Sequence, residues 1–324
     1  MCSNACQTTM NRRMLRGPML TRRAFLERAA RAARAVACAS RGAATASRMF
    51  VSLNSSLTRT LPWPDFVRLA ARLGYGGVDV NLNGARTQGV DPTRARFDEL
   101  KITPAAAGLP VRFTGGETEY QEDLNRLNDA AAFMSAIGCP RMMTVLPPSS
   151  ATPKAEFRRL IKDRLTAISE ILRRSQIHLG LEFLGPLHFR TRQPYEFIWR
   201  MDETLAFAKE CGPNIGLTLD AWHWHHAGAT AADILAAGKS HIVHVHVSDA
   251  RRQPADEVRD NQRLMPGEGV IDLVTFFQSL QRIGYEDGVS PEPLGRLPQD
   301  TTAEEGALLG LETTLAVMKK AGVV

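Results

Sequence analysis

From Met49 onward the chain alternates short apolar segments with amphipathic ones eight times, and this alternation is what most restricts its fold. The apolar segments predict strands over Phe50–Asn54, Gly77–Leu82, Thr103–Leu109, Arg141–Leu146, His178–Leu184, Ile215–Asp220, Ile242–Val247 and Gly288–Glu292. Several are nearly continuous apolar runs, as parallel strands covered on both faces require. Between them, Tyr120, Leu124, Leu127, Ala131, Met134 and Ile137 recur at threes and fours, and so do Phe157, Leu160, Ile161, Leu165, Ile168 and Leu172. Leu273, Phe276, Phe277, Leu280 and Ile283 repeat the pattern, with Gly284 placed to end that helix. A last helix is predicted from about Thr302 to Lys320. Eight βα units in 276 residues predict a single-domain (β/α)8 barrel, whose usual size is about 250 residues. A doubly wound open sheet shares the alternation, because strand order is not written in it.

The net charge of +6 invites an anionic partner, but its distribution argues otherwise. Residues 1–48 hold ten Arg, no Lys and one acid, Glu27; residues 49–324 hold thirty Lys and Arg against thirty-three Asp and Glu. The body is mildly acidic, which speaks against nucleic acid. No run of 18 apolar residues exists, so no membrane span is expected. Of five cysteines only Cys139 and Cys211 fall in the body, and no pair has a metal-type or redox-type spacing.

Residues 1–48 carry no strand or helix periodicity and predict a disordered N-terminal extension, separate from a barrel over 49–324. Within them Thr21-Arg22-Arg23-Ala24-Phe25-Leu26 resembles a degenerate twin-arginine export signal, although Arg28, Arg31, Arg34 and Arg41 interrupt the apolar stretch such a signal needs. The body alone favours the cytoplasm, whereas a working signal implies the periplasm.

Ligand-type residues end four successive predicted strands: Glu182, Asp220, His246 and Glu292. The gaps of 38, 26 and 46 residues are each about one βα unit. In a barrel the C-terminal strand ends converge on one face, so these four side chains are expected to share one bowl. Three carboxylates and an imidazole form an oxygen-rich set suited to one divalent cation, Mn²⁺ before Mg²⁺, Co²⁺ or Zn²⁺. Their mutual repulsion also calls for a cation. Taken singly each has a plainer reading: an ion-pair partner for either glutamate, a helix cap for Asp220, a packed core histidine for His246.

Leu181-Glu182-Phe183, Leu219-Asp220-Ala221-Trp222-His223, His244-Val245-His246-Val247-Ser248-Asp249-Ala250, Pro266-Gly267-Glu268-Gly269-Val270-Ile271-Asp272 and Ser290-Pro291-Glu292-Pro293 together resemble the xylose-isomerase-like TIM barrels, in particular the ketose 3-epimerases. The resemblance covers residues 49–324. It implies a metal-dependent isomerase or epimerase acting on a sugar or polyol by proton abstraction next to a carbonyl, through an enediolate. It also implies that Glu182 and Glu292 are catalytic acid and base as well as ligands, and that His223 and Arg252, three after the Asp and six after the His, hold the substrate. Such epimerases usually have a second Glu six residues after the first. His188 stands there, in a basic segment that continues to Arg192, and is expected to touch the substrate.

The same first step also serves lyases and dehydratases acting on keto sugars, keto-glycosides or inososes. An apurinic-endonuclease-like phosphodiesterase shares the barrel, but it needs early-strand histidines, and all eight here fall between His178 and His246. A non-catalytic sugar-binding protein would tolerate loss of a glutamate, and neither is lost. A homo-oligomer is compatible with all of these readings.

Overall fold

A computed structural model describes residues 49–324. The expectations for residues 1–48 lie outside the described residues. Eight parallel strands close into a barrel: β1 (Phe50–Leu53), β2 (Gly77–Val80), β3 (Thr103–Gly108), β4 (Arg141–Leu146), β5 (His178–Phe183), β6 (Ile215–Asp220), β7 (Ile242–Val247) and β8 (Gly288–Pro291). Each strand pairs with the next in the chain, and β8 closes onto β1, so the open-sheet alternative is excluded. The longest register runs unbroken from Arg141 against His178 to Leu146 against Phe183. β2 against β3 and β6 against β7 each carry one register shift.

The amphipathic segments form the outer ring of helices. Glu117–Ala136 and Lys154–Arg174 bury Leu127, Ala131 and Met134, and Ile161, Leu165 and Ile168, respectively. The helix Leu273–Arg282 is capped by Asp272, whose side chain accepts from the Thr275 N–H, and Gly284 follows it at φ +74°. The closing helix, Ala303–Lys320, starts with a reciprocal Thr302–Glu305 capping box.

The structure adds elements that the sequence pattern did not separate. Two helices, Leu82–Gln88 and Val90–Leu100, link β2 to β3, and a two-residue antiparallel ribbon pairs Ser149–Ser150 with Tyr195–Glu196. One-turn helices follow β5 at Leu187–Arg190 and β6 at Ala221–His226. Cys139 and Cys211 are free, buried thiols, each pushed up to about 12 by burial. Among the described residues no helix is long and apolar enough to cross a membrane.

Candidate active site at the barrel mouth

Residues two apart on a strand point to the same face, so each of the last four strands carries one ligand-type side chain at its C-terminal end. Glu182, Asp220 and His246 lie on β5, β6 and β7. Glu292 is one residue past β8, still held in the ladder by its N–H to the Val247 carbonyl at 2.9 Å. One ligand atom from each of the four lies within 4.8 Å of all the others. Ligand atoms around one ion at about 2.0–2.6 Å are separated by that order of distance, so the donor set fits a single divalent cation.

The cluster is set in low dielectric. Asp220 is fully buried, His246 and Glu182 nearly so, and Glu292 is half-buried. His246 Nδ1 is 3.1 Å from Glu182 Oε1 and 3.6 Å from Glu292 Oε2, while its Nε2 is buried with no partner among the described residues. Burial opposes its charge, but Glu292 and Glu182 beside it raise His246 to about 10. Asp220 is held down at about 2 despite burial, chiefly by Arg263. The two glutamates part company. Burial raises Glu292 to about 7, whereas at Glu182 the hydrogen bond and charge of His246 outweigh burial and lower it.

Arg263 is the residue that sequence reasoning missed. Its side chain is 2% exposed and lies 2.7 Å from Asp220 Oδ2 and 3.0 Å from Glu292 Oε2. It comes from the long segment between β7 and β8, where spacing carries no strand or helix signal. That segment is pinned by an isolated antiparallel bridge between Asp249 and Leu264, next door to Arg263. Arg252, which the family resemblance assigns to the substrate, is exposed. Past β7 the chain leaves the ladder, so residue counting no longer predicts direction. The arginine brought against the cluster is the one eleven positions later.

His223 lies in the helix after Asp220. It is 1% exposed, its Nε2 is 3.2 Å from Arg263 Nη2, and its Nδ1 is buried without a partner. His188 is half-buried, packs on Phe189 with ring centroids 4.1 Å apart, and has a buried, unpartnered Nδ1. Phe189 in turn lies 6.3 Å from the His223 ring, so this segment leans over the mouth. Val145, in register with Glu182, is 44% exposed, which gives the bowl an apolar flank beside its carboxylates.

Beneath the cluster is a second polar layer. Asp79 accepts from Ser52 Oγ at 3.0 Å, Asn54 Nδ2 at 2.9 Å and Ser290 Oγ at 2.7 Å. His244 Nε2 is 3.1 Å from Ser290 Oγ and 3.4 Å from Asp79 Oδ1, and its ring meets that of His246 edge to face at 5.1 Å. His244 thus packs lower in the lumen and supports His246 above it.

A closed (β/α)8 barrel with a cluster of ligand-type side chains on its C-terminal mouth, close enough together to hold one metal ion, defines the class. The chain belongs to the xylose isomerase-like TIM barrel family, whose model matches residues 67–312. It is 28% identical over 236 residues to an inosose isomerase of Halalkalibacterium halodurans, covering 71% of this chain and 80% of that one. It is 25% identical over 288 residues to the L-ribulose-5-phosphate 3-epimerase UlaE of Shigella flexneri, covering 81% and 92%. The solved structure of an IOLI protein with a bound zinc atom superposes with a TM-score of 0.71, at 23% identity over 84% of this chain and 99% of that one.

Proposed function

We propose that this chain is a divalent-metal-dependent isomerase or epimerase acting on a keto sugar or a cyclic keto-polyol. The observation that carries the reading is the convergence of Glu182, Asp220, His246 and Glu292 within 4.8 Å at the barrel mouth. The inosose isomerase and the 3-epimerase among its relatives support both the reaction class and the substrate class.

Glu182, Asp220, His246 and Glu292 would hold the cation. Bound there, the ion supplies Lewis-acid stabilisation of the negative charge that develops on a carbonyl oxygen when the neighbouring proton leaves. The donor set favours Mn²⁺, and Mg²⁺, Co²⁺ and Zn²⁺ are compatible with it.

Glu182 and Glu292 carry the protons. Their environments push them apart, one toward the ionised and the other toward the protonated form, as an acid–base pair requires. Glu182 takes the proton from the carbon next to the carbonyl, and Glu292 returns one to the opposite face or to the adjacent carbon. His223 and His188 orient the hydroxyls from the rim. The exposed Val145 packs against the apolar face of the ring.

The test is proton exchange from D₂O into a panel of keto sugars and inososes, with Mn²⁺ and with a chelator. Metal-dependent deuteration next to the carbonyl is expected. Absence of exchange in every substrate, with Mn²⁺ binding confirmed by calorimetry, rejects the reading.

A further inference from the structure

A guanidinium offers five N–H donors and no acceptor. At Arg263 all five are consumed within the protein. Nε donates to Asp260 Oδ1 at 2.9 Å, and Nη2 donates to the same oxygen at 2.7 Å and to His223 Nε2 at 3.2 Å. Nη1 donates to Asp220 Oδ2 at 2.7 Å and to Glu292 Oε2 at 3.0 Å. The group also lies over the Trp222 ring, 4.8 Å from its centroid, and is 2% exposed. Through Asp220 and Glu292 it touches two members of the cluster directly, and toward them Arg263 is a positioning residue.

Two of its partners are members of the four-residue cluster. Asp220 has its other oxygen, Oδ1, committed to the Trp222 N–H at 2.7 Å. Both oxygens of that carboxylate are therefore fixed before any cation is considered. An arginine cannot shed its charge in a protein, so a permanent positive charge sits within hydrogen-bond distance of two ligand oxygens. In a buried site such a charge acts on a neighbouring divalent cation with little screening.

We propose that Arg263 sets the affinity of this site for its divalent cation: it orients Asp220 and Glu292 while holding the ion's binding below what the bare carboxylates would give. Asp260 tempers the effect from the far side, since its carboxylate faces the same guanidinium. The inference rests on the reading of the four-residue cluster as a cation site.

The sign of the Arg263→Gln effect separates this role from a merely structural one. Arg263→Gln keeps polar reach but removes the charge, and should bind Mn²⁺ at least about tenfold more tightly than the wild type, by calorimetry on the full chain. Asp260→Asn leaves Arg263 in place but unmasks its charge, and should bind Mn²⁺ several-fold more weakly. A structural role weakens binding in both variants. Arg263→Lys retains the charge without the fork, so its affinity should stay close to wild type while its thermal stability drops. Should Arg263→Gln fail to fold, the Arg263→Lys arm decides: near-wild-type Mn²⁺ affinity supports the inference, and an affinity that falls together with thermal stability overturns it. Wild type that binds Mn²⁺, with Arg263→Gln no tighter or Asp260→Asn no weaker, overturns this inference and leaves the cation site standing. Wild type and Arg263→Gln that both bind no divalent cation overturn the cation site itself, and this inference with it.

Discussion

The carboxylate of Asp249 accepts the Gly269 N–H at 2.8 Å, and a Cβ on Gly269 would stand 2.5 Å from Asp249 Oδ1 and 2.2 Å from the Ala250 carbonyl oxygen. The same carboxylate accepts from the N–H groups of Ala250, Gly267 and Ile271, at 2.8, 3.1 and 2.9 Å. One buried aspartate therefore gathers four backbone donors and fastens the glycine turn to the end of β7. Asp249→Ala should leave those donors unsatisfied and cost roughly 2–4 kcal/mol, lowering Tm by roughly 5–10 °C in a domain this large. Gly269→Ala should cost roughly 1–3 kcal/mol, because backbone rather than a flexible side chain must give way. Thermal unfolding followed by circular dichroism checks both. Wild-type melting in either variant would mean that the turn does not depend on this close approach.

That relationship shows where sequence reading stops. The Ser248-Asp249-Ala250 and Pro266–Asp272 motifs are visible as residues, but what Asp249 does is a matter of backbone N–H groups, which every residue except proline carries. Glu182, Asp220, His246 and Glu292 were legible because strand ends in a barrel are held in a common register, so spacing converts into position. Arg263 was not, because the segment before it follows no ladder, and the Asp249–Leu264 bridge that places it has no periodic signature. Arg252, which the family resemblance assigned to the substrate, lies exposed in that same segment. The eight strands were legible to within a residue or two. The Ser149–Ser150 ribbon and the one-turn helices after β5 and β6 were not, since two to six residues hold less than two helical turns of pattern.

Gly185, just past β5, approaches the helix that carries His223. A Cβ there would lie 2.5 Å from the Ala227 N and 2.6 Å from the His223 carbonyl oxygen. Gly185→Ala must move that helix or the segment Gly185–Arg192 that leans over it. Because His223 sits on the substrate side in the proposed site, KM should rise several-fold while Mn²⁺ affinity changes little. Titration of the exchange reaction against substrate, paired with metal calorimetry, separates the two. Unchanged KM would place His223 outside substrate contact.

Stability should depend on pH differently with and without metal. In chelator-treated protein Glu292 titrates near 7, raised mainly by burial, and His246 near 10, raised by Glu292 and Glu182 against its own burial. Both pKa values lie above those of the unfolded chain, so the folded state holds protons that the unfolded state has released. The Glu292 contribution is complete below about pH 4.5 and is lost as pH rises through 7; the His246 contribution is complete below about 6.5 and is lost toward 10. A bound cation replaces those protons, so its affinity rises with pH. The gap in Tm between Mn²⁺-loaded and chelated protein should therefore widen from pH 5 to pH 8. A constant gap across that range would show that the ion binds elsewhere.

The division of labour within the cluster gives the sharpest prediction. Asp220 has one oxygen on the Trp222 N–H and the other on Arg263, so it is held rigidly and has no freedom to follow a substrate proton. His246 is nearly fully buried between Glu182 and Glu292. These two are suited to holding a cation and little else. Glu182 and Glu292 both approach His246 Nδ1, are the more exposed members, and are the pair whose environments favour opposite protonation states. A Glu→Gln change keeps an oxygen donor and removes the base. Glu182→Gln and Glu292→Gln should therefore retain Mn²⁺ binding while exchange and turnover fall by about 10²–10⁴-fold. Asp220→Ala and His246→Ala should lose metal affinity first, with activity partly restored by excess Mn²⁺. Calorimetry alongside deuterium exchange distinguishes the two classes. If both Gln variants kept near-normal turnover with metal bound, proton transfer by these glutamates would be wrong, and the cation would have to serve hydrolysis or the fold instead.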